Sequence, residues 1–463
     1  MSRTARITAI LSTGVFLASL DLFIVNIAFP DLERDFAPTS RASLSWVLSA
    51  YAIVFAALLV PSGRWADRVG RKRVFLTGLA LFGAASAACA AAWSVEALVA
   101  ARVLQAAGAA MLVPASLGLL LATYPPERQK VAIGAWSAVS GVAASAGPVA
   151  GGLLVELGWQ WVFLVNIPIT IAALVAGARV LPEIRDPSRT RPDTTGAAVL
   201  AVAVAALVAA IVQGPEWGWE SERVLALLAA AVALGAVVAQ RARTHPAPVV
   251  EPALLRERTF LLANIAMLLF FLAFAAMLLG TVLYLTEVWD RTALEAGLML
   301  APGPAAAALA SVPGALLGAK LGFRRIGLTG VALYVTGAAW WMTHMAADPD
   351  FAGALLPAMI VGGLGVGLVN PTLVGAASSA LPRERLATGT GVLNMNRQVG
   401  TALGVALLVA LVGSPAAGDA VAAFRDAWWI VPGSATAAGL ALALIGAPTP
   451  RVAPVPAAKE ALA

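Results

Sequence analysis

Gly141-Val-Ala-Ala-Ser-Ala-Gly147-Pro148-Val-Ala-Gly151-Gly152 lies inside an apolar stretch bounded by Lys130 and Trp159. Gly and Pro weaken a helix interior unless close packing or a bend is the purpose. Ser137, Gly141 and Ser145 recur every fourth position, as do Ser140, Ala144, Pro148 and Gly152. Two faces of one helix would therefore let neighbouring backbones approach closely, as membrane helix interfaces require. Small-residue spacing alone signifies only a tightly packed membrane helix. The full G-x5-G-P-x2-G-G pattern is far more specific.

The chain as a whole fits a membrane helix. It is 60% hydrophobic and 12% charged over 463 residues, more apolar surface than a soluble fold of this length could bury. Cys89 is the single cysteine, which excludes an intramolecular disulfide framework and reads as a small buried hydrophobe. His245 and His344 lack metal-ligand spacing, so no metal site is expected. The basic residues lie in short loops between apolar runs, which reads as topology and not as nucleic-acid binding. Arg3 and Arg6 precede the first apolar run as in a signal peptide. That run is too long for such a segment, contains Asp21 and lacks a cleavage motif, so it reads as an uncleaved first span.

At about 20 residues per crossing, the chain divides into fourteen candidate spans. Six run at 7–29, 43–62, 74–93, 97–122, 130–154 and 160–181. A middle pair follows at 195–214 and 223–240, and six more at 260–286, 294–317, 325–346, 352–378, 386–412 and 424–447. The corresponding organisation is a six-helix bundle over 1–185, a linker with two extra helices over 186–258, a second six-helix bundle over 259–450, and a tail over 451–463. With both termini cytosolic, most Lys and Arg residues fall inside. Arg34, Arg41, Arg223, Arg291 and Arg425 fall outside, and Arg102 and Arg397 lie within spans. Pro215-Glu-Trp217-Gly-Trp219-Glu220 reads as an outside turn with interfacial tryptophans.

One constant offset pairs Gly108, Pro114, Gly118, Pro125, Glu127, Arg128, Gly134 and Gly147 with Gly365, Pro371, Gly375, Pro382, Glu384, Arg385, Gly391 and Gly404. The fourth and fifth spans thus recur, in the same direction, as the fourth and fifth of the last six. A parallel repeat of this kind puts a transport path at the interface between halves, near the midplane.

These features together resemble the major facilitator superfamily. The Gly141–Gly152 pattern resembles the antiporter motif on the fifth helix of its exporters. The loop Gly63-Arg-Trp-Ala-Asp67-Arg68-Val-Gly70-Arg71-Lys72-Arg73 resembles its G-x-L-A-D-R-x-G-R-K signature, with Trp65 for Leu. That resemblance implies a cytoplasmic latch of Asp67 and its basic neighbours, made in one conformer and broken in the other. The second half keeps Lys320, Gly322, Arg324 and Arg325 but has Ala319 where Asp67 would fall, so the latch should be asymmetric.

Leu20-Asp21-Leu-Phe-Ile-Val-Asn26-Ile-Ala-Phe-Pro30 resembles the D-x3-V-N-x-A-x-P signature of the fourteen-helix drug:proton antiporter family. Asp21 is the one acidic residue expected deep within a span, and a carboxylate there is a functional hypothesis by default. It is assigned as the proton site, against the alternative of a structural carboxylate permanently paired with a basic residue. Arg102-Val-Leu-Gln105 resembles the superfamily's R-x2-Q-G motif, with Ala106 for Gly. Arg102 and Gln105 share a helix face. Asp21 and Arg102 fall at roughly 13 Å and roughly 9 Å from the same surface, and the resemblance implies that the first and fourth helices are neighbours lining the cavity, so Arg102 is the expected partner, holding Asp21 ionised until substrate or a conformational change separates them.

Asn394, Arg397, Gln398 and Thr401 share one face of a later span. Arg397 could contact substrate, a helix C-terminus or a carboxylate. Asn370-Pro371 is expected to interrupt the preceding helix and expose carbonyls. With Asn26 and Gln105, the residues Asn370, Asn394, Arg397 and Gln398 form the expected substrate cavity. Gly158-Trp159-Gln-Trp161-Val-Phe163-Leu-Val-Asn166-Ile-Pro168 resembles the family's W-R-W-I-F-x-I-N-x-P segment, with Gln160 for Arg, and both tryptophans read as interfacial anchors.

The expectation is an all-α polytopic protein of the bacterial cytoplasmic membrane with the major facilitator fold. It should be a monomeric secondary transporter exporting an amphipathic small molecule in exchange for protons, with the proton as coupling ion and no cofactor. No nucleotide-binding loop and no nucleophile–base constellation is present, so it should not be an enzyme. A proton-coupled permease or importer and a non-transporting sensor are the alternatives.

Overall fold

The computed structural model describes residues 3–125, 139, 142–144, 146–185, 193–381, 386–413 and 419–445. Every regular element among them is a helix. The first half holds α1 (Arg3–Asp35), α2 (Trp46–Val69), α3 (Arg71–Ala90), α4 (Val95–Thr123), α5 (Val142–Val155) and α6 (Asn166–Val180). A middle pair follows, α7 (Thr194–Trp217) and α8 (Glu222–Thr244). The second half holds α9 (Arg258–Glu287), α10 (Ala293–Leu321), α11 (Phe323–His344), α12 (Phe351–Ser379), α13 (Leu386–Val412) and α14, the last formed by Ala420–Trp428 and Ile430–Ala443. Eleven helices among the described residues are long and apolar enough to cross a membrane.

Local chemistry sets several boundaries. Ser94 caps α4 by accepting from the Ala97 N–H, and Ser221 caps α8 through Val224. Thr292 and Glu295 form a reciprocal capping box at the start of α10. Gly70 and Gly322, at the α2–α3 and α10–α11 turns, have φ of 129° and 98°, a region L side chains avoid.

The internal repeat is visible as packing. Helices α3 and α4 cross where a Cβ on Gly78 would lie 3.0 Å from the Gly108 carbonyl oxygen. Helices α11 and α12 repeat this crossing, with a Cβ on Gly330 2.9 Å from the Gly365 carbonyl. Farther along, Arg71 covers Gly118 and Phe323 covers Gly375. The same site is polar in one half and apolar in the other.

Asn370-Pro371 does not interrupt its helix: α12 is helical throughout Leu356–Ser379. Proline frees the carbonyl four residues before it. That carbonyl, Gly367 O, faces Gly314 of α10, where a Cβ would stand 3.0 Å away. It is absorbed by helix packing and is not presented to a cavity.

The halves meet on two sides. On one, α2 packs along α13, and α7 lies against both. Helix α8 packs on α7, and only Val224 of its residues is buried. On the other side, α5 meets the first turns of α10. A Cβ on Gly152 would overlap Leu294 Cα, and one on Gly297 would overlap the Pro148 carbonyl. Gly147 and Gly151 face α1: a Cβ would come within 2.5 Å of Phe23 Cβ and 3.3 Å of Ile24 Cα. The small residues of the quoted motif thus seat α5 on α1 and on the opposite half. Gly141 lies outside the described residues.

The end of the bundle that carries Arg64 through Arg73 is called here the basic end, and the opposite one the far end. At the basic end, buried Asp193 caps α7 through the Gly196 N–H at 2.7 Å and accepts from Arg241 of α8 at 2.6 Å. Burial favours the neutral carboxyl, but the Arg241 hydrogen bond, the Gly196 N–H and the nearby charges of His245 and Arg241 together hold Asp193 below the usual carboxylate range. A depressed carboxyl stabilises the fold above its unfolded value of about 3.9, and that contribution is lost as pH falls through the folded value. Asp193→Ala removes cap and charge and should cost about 1 kcal/mol for the cap alone. Asp193→Asn keeps a capping oxygen and should cost less. In thermal unfolding at neutral pH both should melt below wild type in that order. The Asp193→Asn difference should vanish as the pH is taken below the carboxylate range; a difference that persists there contradicts the charge contribution.

Candidate functional site

Asp21 and Arg102 meet in the interior. Arg102 Nη1 donates to Asp21 Oδ2 at 2.6 Å, with side-chain exposures of 1% and 0%. A bare carboxylate or guanidinium there would be costly, and the surrounding polar groups account for its tolerance. Gln105 Nε2 donates to Asp21 Oδ1 at 2.9 Å and to Ser86 Oγ at 2.9 Å. Gln105 Oε1 accepts from Arg102 Nη1 at 2.5 Å. Arg102 Nε donates to the Val47 carbonyl of α2 at 3.0 Å. The guanidinium also lies over the Tyr51 ring, 4.2 Å from its centroid, and 5.8 Å from that of Phe163. Asn166 Nδ2 reaches Ser86 Oγ at 3.4 Å.

The cluster thereby joins α1, α2, α3, α4 and α6. Its central pair was expected from sequence; Ser86, Tyr51, Val47 and Asn166 were not singled out as partners. Gln105, expected in the substrate cavity, is fully buried holding the ion pair and does not line the small cavity between the halves.

A cavity of about 20 Å³ adjoins this cluster between the halves. Asn26, Tyr51 and Arg102 line it from the first half, Phe274 and Thr401 from the second. Its volume is of the order needed for a single water. The hydroxyl of Tyr51, a residue of this lining, is buried without a hydrogen-bond partner among the described residues. Asn26 Nδ2 itself donates to the Leu22 carbonyl at 2.6 Å. A larger opening of about 500 Å³ lies toward the basic end, lined by Thr8, Ser12, Thr13, Phe16 and Tyr124 among others.

On α13, Thr401 faces the small cavity, with Arg397 one turn before it. Arg397 stands over the Phe271 ring at 5.5 Å. Gln398 is buried, and Asn394 is partly buried with its Nδ2 donating to the Thr390 carbonyl at 2.9 Å. Asn370 is partly buried on α12 and does not line the small cavity.

The basic-end signature is tied mainly to its own half. Asp67 accepts from Arg71 Nε at 2.8 Å, and Arg71 Nη1 donates to the Gly118 carbonyl at 2.6 Å. Lys72 Nζ donates to the Ala178 carbonyl at 2.8 Å, and its N–H to Glu183 at 3.2 Å. A Cβ on Gly70 would overlap the Glu183 carboxylate. Gly63 packs on Pro114, where a Cβ would sit 3.3 Å away. Arg68 is half-buried at the end of α2. Arg64 makes a contact that leaves the half, donating to Glu251 at 2.6 Å and to the Pro248 carbonyl at 2.8 Å in the segment leading to α9. Arg64 stands inside the signature, next to Gly63, but its role was not read from it.

The far end carries a second ionic clamp. Arg41 donates to Glu33 at 3.0 Å, to Glu287 of α9 at 2.6 Å and to the Gly413 carbonyl after α13 at 3.2 Å. Trp159, expected as an interfacial anchor, is buried: its Nε1 donates to Asp35 Oδ2 at 2.6 Å, and its ring packs against Phe36 at 5.4 Å. The Asp35 acceptor draws the indole inward. Trp161 is 46% exposed, as an anchor should be.

Comparison with known proteins assigns this architecture. The family model of the Major Facilitator Superfamily matches residues 11–405. The methylenomycin A resistance protein of Streptomyces coelicolor is 34% identical over 407 residues, covering 87% of this chain and 84% of that protein. The tetracenomycin C resistance and export protein of Streptomyces glaucescens is 34% identical over 423 residues, covering 90% and 77%. In fold, the chain resembles a bacterial homologue of the human lysosomal transporter Spinster, solved inward-facing and unoccupied, with a TM-score of 0.64, 16% identity and 96% coverage of each chain. The chain belongs to the Major Facilitator Superfamily, as a multi-pass transporter of the bacterial cytoplasmic membrane and not an enzyme.

Proposed function

We propose that the protein exports amphipathic small molecules in exchange for inward protons by alternating access, with fourteen spans and both termini cytosolic. The observation that carries this reading is the Asp21–Arg102 pair, buried within the spans beside a cavity shared by the halves. The resistance and export roles named for the relatives support the direction of transport. In this orientation the basic end faces the cytosol, and the Arg41 clamp and the α5–α10 contact close the outer side.

The geometry suits a proton switch. A proton arriving on Asp21 Oδ2 displaces Arg102 Nη1 from that oxygen. Arg102 is not then stranded, because the Val47 carbonyl, Gln105 and the Tyr51 ring still hold it. Protonation therefore removes one link between α1 and α4 without expelling the arginine. Alternating access needs a contact with two such arrangements.

Proton movement in vesicles with an acid interior, on addition of compounds from a chemically broad panel, tests the assignment. Wild type should release protons with transported compounds. Asp21→Asn, which keeps the shape and loses the charge, should bind them and release none. Equal release from both would move the proton site off α1.

The outer closure makes a separate prediction. Cys89 is fully buried, so a cysteine placed at Asn26 can be followed with a membrane-impermeant maleimide from outside. Adding Glu287→Gln weakens a partly exposed ion pair worth about 1 kcal/mol, which should speed labelling about five-fold. Gly152→Val, whose side chain collides with backbone, should speed it more. Unchanged labelling in both would remove these contacts from the gate.

A further inference from the structure

Arg397 differs from Arg102 in what surrounds it. Arg102 has a carboxylate, a carboxamide and a carbonyl as acceptors. Among the described residues the Arg397 guanidinium has no ion pair and no hydrogen bond; its contact is the face of Phe271. It is partly accessible, on the α13 face that continues through Thr401 to the cavity between the halves. Gln398, the next residue, is buried. Rings lead away from it toward the other half: Phe271 meets Phe274 at 5.7 Å, and Phe274 meets Phe23 of α1 at 6.4 Å.

An unpaired cation at membrane depth is costly and marks function by default. The Phe271 ring attracts the cation but offers no oxygen acceptor, so the guanidinium N–H groups stay available, and they match a carboxylate in a planar, two-point fit. We infer that Arg397 recognises the anionic group, a carboxylate or phenolate, of an aromatic solute whose apolar body lies along Phe271, Phe274 and Phe23. This rests on the export reading above and adds the substrate's charge to it. Deep in the spans the fixed charges are Asp21, Arg102 and Arg397, so a bound monoanion brings the interior to neutrality. Export of a monoanion is also favoured by an inside-negative potential, each 100 mV supporting about a fifty-fold gradient for a single charge.

Fluorescein and rhodamine 6G share an aromatic skeleton and differ in charge, anionic against cationic. Their binding to the purified full-length protein in zwitterionic nanodiscs, with empty nanodiscs subtracted, is read by fluorescence anisotropy. Wild type should bind fluorescein in preference to rhodamine 6G. Arg397→Gln should weaken fluorescein ten-fold or more, Arg397→Lys should weaken it less, and neither should weaken rhodamine 6G. Should Arg397→Gln fail to fold, a fluorescein loss in Arg397→Lys with rhodamine 6G unchanged carries the same conclusion. A wild type that prefers rhodamine 6G or binds no fluorescein, or folded variants that bind fluorescein as wild type does, overturns the inference. Export of both dyes from vesicles separates the two readings. Rhodamine 6G exported without fluorescein binding sinks the anion site and leaves export standing. Arg397-dependent fluorescein binding without export of either dye sinks the export reading and leaves the anion site.

Discussion

The Asp21–Arg102 ion pair constrains the rest of the first half. Two opposite charges that have left water must find each other and must have their remaining donors and acceptors met, or the penalty runs to about 3–5 kcal/mol for a stranded partner. Meeting that demand recruits Gln105 from α4 itself, and the Val47 carbonyl, the Tyr51 ring and Ser86 from two further helices, α2 and α3. The helices that supply them are thereby fixed in rotation about the pair. An apolar bundle in lipid has little other means of doing this, because lipid and core are equally apolar.

Glycine provides the complementary constraint. Where charge fixes rotation, absent side chains fix distance. The α3–α4 and α11–α12 crossings use glycine pairs at equivalent places, and the α5–α10 contact uses glycine on both helices. The repeat therefore conserves its crossings while changing its chemistry, with Arg71 in one half standing where Phe323 stands in the other. One half keeps a polar hinge, and the other a greasy one.

The sequence was legible where residue type and cost coincide. A charge inside an apolar run has few explanations, so Asp21 and Arg102 stood out, and similar depth together with the neighbouring first and fourth helices of the resembled fold paired them. Glycines at regular spacing gave the close approaches of α5. Ser86, Tyr51 and Asn166 were illegible as partners because a neutral polar residue in such a helix costs little and so signals little. The inward face was not readable from hydropathy, since both faces of a membrane helix are apolar. Trp159 and Trp161 are identical in type two residues apart, yet only the first meets Asp35 and turns inward. Pro371 read as a break, but the carbonyl it frees is absorbed by packing against Gly314. Both outcomes depend on a neighbour distant in the chain.

The position of α7 bears on how a lipid-soluble molecule could approach. By lying against both α2 and α13, it covers one of the two seams between the halves, and α8 backs it. At the α5–α10 seam, Leu153 and Leu298, next to Gly152 and Gly297, are exposed on the apolar surface. The bundle is thus two-sided in its relation to the bilayer: a solute dissolved in the leaflet meets a wall on one side and a parting line on the other.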